Sequence, residues 1–188
     1  MKDFSYAAPT SLKEAADLLA RANGKARVLA GGTDIIVQLR EGLRDADLVV
    51  DVKKIPELME LSYSSAKGLR LGASVPCYRI YEHAGIAKAY SALADAARIV
   101  GGWQIQSRAS VGGNLCNSSP AADTIPALIA HAATCVVAGP KGHVLRCAHP
   151  DHHQIRPISY RFAVLAKRRV VKVIVIVRLA IAVDKSGR

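Results

Sequence analysis

Hydrophobic residues near the N-terminus recur with the 3.6-residue period of a helix and then gather in short runs typical of buried strands. Thr10 or Ser11 can cap the helix, and Asn23-Gly24 can end it. The predicted elements are a helix from Thr10 to Ala22, a strand from Arg27 to Ala30, a helical turn from Ile35 to Arg40 and a strand from Asp47 to Val52. This order predicts a small α/β unit with parallel strands.

The middle of the chain has a different pattern, in which hydrophobic residues alternate on both sides of a cluster of turn-forming residues. Met59 to Ser64 and Gly68 to Ala73 therefore predict a β-hairpin. Further along, apolar and alanine-rich spacing predicts three more helices and one more strand. These elements are helices at Pro76–His83, Ala87–Val100 and Ile125–Ala133, a loop-rich stretch at Trp103–Thr124, a strand at Thr134–Ala138 and a turn at Gly139–Gly142.

Two glycine pairs carry the most specific chemistry in the sequence. The first diglycine segment, Leu29 to Asp34, lies between a predicted strand and a helical turn, and the second, Ser110 to Leu115, lies in the loop-rich stretch. Glycines allow positive φ and close approach of a ligand, and successive N–H groups in such turns bind anions. A helix start behind the first segment adds a positive dipole end. Two such segments can hold a pyrophosphate from both sides. The side chains placed to hydrogen-bond phosphate oxygens or ribose hydroxyls are Thr33, Ser110, Asn114 and Asp123.

No other nucleotide-binding or metal-binding motif accompanies these segments. The sequence contains neither GxGxxG nor GxxxxGK[ST], which excludes the Rossmann and P-loop fingerprints. The four cysteines have no metal-site spacing, so we predict no metal site. The pattern also offers no side chain to nominate as a catalytic acid or base.

The formal net charge of +11 is concentrated at the C-terminal end of the chain. From Lys141 onward the net charge is +9, against +2 for the first 140 residues. Because the tail contains no recognisable nucleic-acid-binding module, we expect no nucleic-acid partner, and a basic nucleic-acid-binding protein stays a remote alternative. The N-terminus has no signal-peptide pattern, and no run of 18 apolar residues occurs. We therefore expect a cytoplasmic protein without a membrane span.

Two stretches of the sequence resemble a known family. Ala30 to Arg40 (AGGTDIIVQLR) and Ser110 to Leu128 (SVGGNLCNSSPAADTIPAL) are similar to the FAD-binding medium subunit of the molybdenum hydroxylases. That family includes xanthine dehydrogenase, carbon monoxide dehydrogenase and aldehyde oxidoreductase. Gly68 to Ala73 (GLRLGA) and Gln104 to Arg108 also fit, and the resemblance covers residues 1 to about 142.

The resemblance implies an α+β fold, the two-subdomain FAD-binding fold of the vanillyl-alcohol oxidase (PCMH) type, incomplete at the C-terminus. It implies a small α/β subdomain at 1–56, a second, partial α+β subdomain at 57–142, and at 143–188 a basic tail unlike the family. Nothing after about Lys141 resembles the family, whose members continue further. Our hypothesis is that the reading frame shifts near Gly142 to Leu145 and that the chain ends prematurely.

The resemblance also implies which residues bind the cofactor. Backbone N–H groups from Leu29 to Ile35 would surround the pyrophosphate of FAD. Ser110 would bond a phosphate oxygen, Asp123 would bond the ribose side, and Gly101 would lie near the flavin. The full implied set is Leu29, Ala30, Gly31, Gly32, Thr33, Asp34, Ile35, Gly101, Ser110, Gly112, Gly113, Asn114 and Asp123.

The function implied by the resemblance is electron transfer by an oxidoreductase subunit. Such a subunit pairs with a molybdopterin-binding large subunit and a [2Fe–2S] small subunit. Electrons pass from the iron–sulfur clusters through FAD to an external acceptor such as NAD or a quinone. One alternative is a stand-alone flavin oxidase, against which the absence of histidine from both diglycine segments weighs. The other is an inactive truncated fragment of the same subunit.

Overall fold

The computed structural model describes residues 2–117, 119, 121–138, 145–147 and 174–179, which form two β-sheets with helices packed on them. The first sheet contains β1 (Ser5–Ala7), β2 (Ala26–Leu29) and β3 (Leu48–Asp51). The second contains β4 (Leu61–Ser64), β5 (Gly68–Gly72), β6 (Thr134–Ala138), β7 (Leu145–Cys147) and β8 (Ile174–Leu179). The helices are α1 (Leu12–Arg21), α2 (Ile35–Arg40), α3 (Pro56–Met59), α4 (Cys77–Glu82), α5 (Ala84–Ala89), α6 (Ser91–Ile99), α7 (Trp103–Gln106), α8 (Val111–Asn117) and α9 (Thr124–Ala130).

The first sheet is parallel, with β3 in the centre and β1 and β2 on either side. Val50 of β3 lies opposite Ala7 of β1 and Val28 of β2. Val49 and Val50 are fully buried, as expected for β-branched residues in a strand covered on both faces. The predicted parallel strand–helix–strand unit is therefore present, and β1, which the pattern did not predict, extends it.

Helix α1 has the N-terminal signal that the sequence predicted. The Ser11 hydroxyl accepts a hydrogen bond from the Glu14 N–H at 3.2 Å, and the Glu14 carboxylate accepts one from the Thr10 N–H at 3.0 Å. The first bond satisfies an N–H in the first turn that has no partner within the helix, and the second ties the residue before the cap to that turn. At the other end Asn23 (φ 40°) and Gly24 (φ 94°) reverse the chain toward β2.

The second sheet is antiparallel and has the strand order β4-β5-β8-β6-β7. The predicted hairpin is present, since β4 pairs with β5 and places Tyr63 opposite Leu69. Strand β8 lies between β5 and β6, where Val177 is opposite both Leu71 and Cys135. A parallel sheet, an antiparallel sheet and separate helices together make an α+β fold.

One continuous core joins the two sheets. It extends from Ala15 of α1 and Val50 of β3 to Leu71 of β5 and Leu128 of α9. Tyr90 is 1% exposed, and its hydroxyl accepts a hydrogen bond from the Leu69 N–H at 3.1 Å. The hydroxyl thus satisfies a buried backbone donor inside this core.

Two sequence-based predictions in the helical region are wrong. The predicted single helix from Ala87 to Val100 is two helices, α5 and α6, because Tyr90 has non-helical backbone angles (φ −130°, ψ 54°). The buried contacts of the Tyr90 side chain override the helical preference of the alanine-rich sequence around it. The predicted loop-rich stretch from Trp103 to Thr124 contains α7 and α8.

Candidate functional site

The carboxyl ends of the three parallel strands meet at one edge of the first sheet, and the first diglycine segment leaves β2 at this edge. Ligands of open parallel sheets bind beyond the carboxyl ends of the strands. Leu29 is buried, the next four residues are half-buried, and Asp34 is exposed. Gly32 has a φ of +85°, a conformation that favours glycine.

Three successive carbonyl groups of the first diglycine segment accept hydrogen bonds. Lys53 Nζ donates to the Ala30 oxygen at 2.6 Å. Arg108 Nε donates to the Gly31 oxygen at 3.2 Å. The Ile36 N–H in α2 donates to the Gly32 oxygen at 3.2 Å. The donors come from three parts of the chain, so the segment is held in one conformation.

The second diglycine segment forms the start of helix α8, and its prediction as a loop is wrong. Ser110 is 2% exposed, and its hydroxyl accepts a hydrogen bond from the Gly113 N–H at 3.1 Å, as a helix-capping residue does. Neither Gly112 nor Gly113 has a positive φ, so the predicted conformational reason for these glycines is also wrong. Gly112 is buried against Ala73, where a side chain has no room.

The two diglycine segments lie against each other although about eighty residues separate them along the chain. A Cβ at Gly31 would lie 2.9 Å from the Arg108 carbonyl carbon, which explains the glycine there. A Cβ at Gly113 would lie 4.0 Å from that of Ala30, an ordinary contact distance. Between the helices that follow, the Gln38 side-chain amide donates to Asn117 Oδ1 at 3.3 Å. The two segments therefore converge at the carboxyl edge of the first sheet.

The remaining predicted residues lie beside the second segment or in a separate turn. Asn114 Oδ1 accepts hydrogen bonds from the Thr124 hydroxyl at 2.6 Å and from the Thr124 N–H at 3.3 Å. Asp123 is exposed, and with Asp95 it lines a groove of about 400 Å³ between α6 and α9. Gly101 is exposed, has a φ of +56° and lies in the turn between α6 and α7. The contact with Thr124 thus places Asp123 close to Asn114.

A polar cluster that the sequence pattern did not indicate lies at the same sheet edge. We call Tyr6, Asp51 and Lys53 the edge cluster. The Asp51 carboxylate accepts hydrogen bonds from the Tyr6 hydroxyl at 2.8 Å and from the Lys53 N–H at 2.9 Å, and Lys53 Nζ lies 3.3 Å from it. Only 14% of the Asp51 side chain and 22% of the Lys53 side chain is exposed. The one sign of this cluster in the sequence is the position of Asp51 and Lys53 at the carboxyl end of a predicted parallel strand.

The edge cluster holds one carboxylate against a shielded cation. Burial by itself raises the pKa of Asp51, but the hydrogen bonds from the Lys53 N–H and the Tyr6 hydroxyl, with the Lys53 charge, bring it below the ordinary value of 3.8. Burial is also the largest influence on the pKa of Lys53. Burial and the Arg108 charge lower this pKa, although the Asp51 charge and its hydrogen bond raise it in part. Asp51 is therefore ionised at neutral pH.

Replacing Asp51 by asparagine is expected to lower the free energy of unfolding at pH 7 by about 1–2 kcal/mol, because the hydrogen bonds to a charged acceptor are weakened. Since the folded-state pKa of Asp51 is depressed, its stabilisation is present above the ordinary value of 3.8 and is lost as the pH falls through the folded-state pKa. Urea unfolding at pH 7 and at acid pH measures this change. The difference between the two proteins should shrink in acid.

The matched control for this prediction is Asp47→Asn. Asp47 pairs with Lys25 at 3.2 Å, but its side chain is 68% exposed, so its loss should cost less than about 0.5 kcal/mol. Equal losses for the two variants at pH 7 would contradict a special role for Asp51.

Within the described ranges, no group of three or more His, Cys, Asp or Glu residues is placed to hold a metal ion. His149, His152 and His153, which lie in the basic tail, fall outside the described residues. No helix in the described part of the chain combines the length and the apolar character needed to cross a membrane.

The chain is similar to curated FAD subunits over most of its length. It is 35% identical over 143 residues to the nicotinate dehydrogenase FAD-subunit of Eubacterium barkeri, covering 76% of this chain and 48% of that protein. It is 32% identical over 143 residues to the xanthine dehydrogenase FAD-binding subunit of Escherichia coli O157:H7, covering 76% of this chain and 49% of that protein. The chain thus spans about half the length of these relatives.

Solved structures show the same fold. A chain of quinoline 2-oxidoreductase from Pseudomonas putida 86 superposes with a TM-score of 0.78 at 26% identity, covering 97% of this chain and 61% of that one. A chain of the reconstituted CO dehydrogenase from Oligotropha carboxidovorans superposes with a TM-score of 0.78 at 22% identity, covering 96% and 60%. The predicted α+β fold class is therefore confirmed.

A family model described as the FAD binding domain in molybdopterin dehydrogenase matches residues 2–176. The match includes both diglycine segments and runs into the basic tail. The domain bounds at residues 56 and 142 and the shift of reading frame stay predictions. Because the match covers most of the sequence, the chain belongs to the family of FAD-binding domains of molybdopterin dehydrogenases.

Proposed function

We propose that this chain is the FAD-binding, electron-transfer subunit of a molybdopterin-dependent hydroxylase or dehydrogenase. The observation that carries the proposal is the convergence of the two diglycine segments at the carboxyl edge of a parallel sheet, in a chain of this family. The diphosphate of FAD is an anion. The groups at this edge include backbone N–H groups and the Ser110 hydroxyl, and the cations of Lys53 and Arg108, which donate to carbonyls of the first diglycine segment, lie nearby. Donors and cations of this kind suit a diphosphate, so the residues present fit this part of FAD.

The proposed contacts divide between the two segments. Backbone N–H groups from Leu29 to Ile35 bind the diphosphate from one side, and Gly112, Gly113 and Asn114 close on it from the other. The Ser110 hydroxyl accepts from Gly113, and because a hydroxyl can accept and donate at once, it can still donate to a phosphate oxygen. Asp123 is proposed to bind the ribose side, and Gly101 to lie near the flavin ring.

When bound, FAD supplies the redox chemistry, taking up electrons from [2Fe–2S] clusters and passing them to an external acceptor such as NAD or a quinone. The chain's own residues position the cofactor and exclude water from the buried side of the diglycine segments. We propose no catalytic acid or base, since an electron relay needs none. The partners in the proposal are a molybdopterin-binding large subunit and a [2Fe–2S] small subunit, and the substrate binds on the large subunit.

The test of the proposal is a titration of the purified full chain with FAD, followed by flavin fluorescence. We expect saturable binding, competition by ADP, and binding of riboflavin weaker by about 100-fold, a loss of about 2.7 kcal/mol for the missing diphosphate contacts. Co-expression with the two partner subunits should give a complex that elutes as one species.

Two results would contradict the proposal in different ways. Absence of FAD binding would contradict the proposed cofactor, and retention of the chain on DNA at moderate salt would then favour the nucleic-acid alternative. Equal affinities for FAD and riboflavin would support flavin binding but contradict the assignment of the diphosphate to the diglycine segments.

A further inference from the structure

Two cations from distant parts of the chain bind successive carbonyl groups of the first diglycine segment. Lys53 follows β3 and donates to the Ala30 oxygen at 2.6 Å. Arg108 precedes the second segment and donates to the Gly31 oxygen at 3.2 Å. Ordering these two long side chains costs side-chain entropy, which the two contacts must offset.

Because the peptide bond is planar, a contact that holds a carbonyl also fixes the direction of the next N–H group. In a trans peptide the carbonyl of one residue and the N–H of the next lie in one plane and point in opposite directions. Holding the carbonyls of Ala30 and Gly31 therefore fixes the N–H groups of Gly31 and Gly32, which point away from Lys53 and Arg108. The Gly32 carbonyl is held in turn by the Ile36 N–H at 3.2 Å, which fixes the N–H of the following residue.

The lysine is itself held in place. Asp51 lies 3.3 Å from Lys53 Nζ and is oriented by the Tyr6 hydroxyl at 2.8 Å. Only 22% of the Lys53 side chain is exposed, so its ammonium is shielded from water and restricted in position. Arg108 lies close enough for its charge to act on the Lys53 ammonium, so two cations stand beside the first diglycine segment.

We propose that Lys53 and Arg108 are positioning residues for the diphosphate of the cofactor, and that each acts through the carbonyl it holds. They turn the N–H groups of Gly31 and Gly32 toward the bound anion, next to the Thr33 N–H that the Ile36 contact fixes. This inference rests on the proposed function and adds residues that lie outside both glycine motifs. Preorganised N–H donors need no reordering when the ligand binds, which is the source of the affinity gained.

The test compares Lys53→Met, Arg108→Met and the matched control Lys54→Met, which removes the charge of the neighbouring exposed lysine. Dissociation constants for FAD and for ADP are measured on the full chain at low and moderate salt. Amide hydrogen exchange of residues 29–36 is then followed with FAD at saturation. Positioning predicts an increase of about tenfold in both dissociation constants for the first two variants, equivalent to about one backbone hydrogen bond. Lys54→Met should bind like the wild type.

The salt dependence and the exchange separate positioning from direct contact with phosphate. Positioning predicts the wild-type salt dependence together with reduced protection of the Gly31 amide in Lys53→Met and of the Gly32 amide in Arg108→Met at saturating FAD. A weaker salt dependence with wild-type protection would show a direct ion pair and overturn the inference. Wild-type dissociation constants in both variants would also overturn it.

The outcome is interpretable even if one variant fails to fold or the wild type fails to bind. If Lys53→Met does not fold, Arg108→Met still tests the inference, because Arg108 is exposed and lies outside the core. If the wild type itself binds neither FAD nor ADP, the proposed function fails. If the wild type binds and both variants match it, only the positioning role fails.

Discussion

Replacing Gly112 by alanine is expected to destabilise the protein by roughly 3 kcal/mol or more, a typical cost of overpacking a buried site that cannot relax. A Cβ at this position would lie 2.5 Å from both the Cα and the carbonyl oxygen of Ala73. These are backbone atoms of the residue that follows β5, so neither can move without shifting the chain where it leaves the strand. Urea or thermal unfolding followed by circular dichroism measures the loss.

The adjacent glycine of the same helix is the control. A Cβ at Gly113 would lie 3.0 Å from the Ser110 hydroxyl, which belongs to a side chain that can rotate, and at an ordinary distance of 4.0 Å from the Cβ of Ala30. Alanine also has a helix propensity about 1 kcal/mol better than glycine, which offsets part of that contact. Gly113→Ala should therefore stay within about 1 kcal/mol of the wild type. Equal destabilisation of the two variants would show that α8 does not pack on Ala73 as described.

Replacing Gly31 by alanine is expected to weaken FAD binding by about 100-fold or more, a loss of at least about 2.7 kcal/mol. A Cβ there would lie 2.9 Å from the Arg108 carbonyl carbon and 3.0 Å from the Ala109 Cα. Both neighbours belong to the backbone leading into the second diglycine segment. The substitution therefore separates the two segments at the point where they meet. The dissociation constant from flavin fluorescence measures the effect.

A second glycine variant distinguishes this loss from a general effect on stability. Gly24 has a φ of +94° and open space around it, and it precedes the opposite end of β2. Gly24→Ala should cost about 1 kcal/mol of stability through backbone strain while leaving the FAD dissociation constant unchanged. Wild-type FAD affinity in Gly31→Ala would contradict the role assigned to the convergence of the two segments.

The local pattern of residues was sufficient to predict α1, the strands β2 and β3 and the β4-β5 hairpin, because each of these elements is determined by residues within a few positions of one another. The three residues of β1 have no such pattern, since Ser5 and Tyr6 are exposed and the strand exists through its pairing with β3. The break at Tyr90 was equally invisible, because it depends on a hydroxyl that satisfies the Leu69 N–H twenty-one residues away. Tertiary contacts decided both cases.

The sequence predicted the two diglycine segments of the candidate site, with the polar side chains next to them, but not the groups that hold them in place. Diglycine pairs stand out in a sequence, but a conformational reason applies at Gly32, whereas Gly31 and Gly112 are required by close packing of backbone. The edge cluster and Arg108 could not be predicted, because their role depends on which carbonyls they reach in space. Charged residues at the carboxyl ends of predicted parallel strands are the signal that would have drawn attention to Asp51 and Lys53.

The position of β8 has a consequence for how the protein is made. Its residues come more than thirty positions after those of β6, yet the strand lies between β5 and β6. During synthesis all three strands of the parallel sheet are available once Asp51 has left the ribosome. The antiparallel sheet cannot form completely until Leu179 is available, so one edge of β5 and one edge of β6 stay unpaired until then. Unpaired strand edges can pair with those of other nascent chains, and long-range strand pairing is slow. A ribosome that stops before Ile174 would therefore release a chain in which β5 and β6 lack the strand that pairs with both, and we expect that chain to be prone to aggregate.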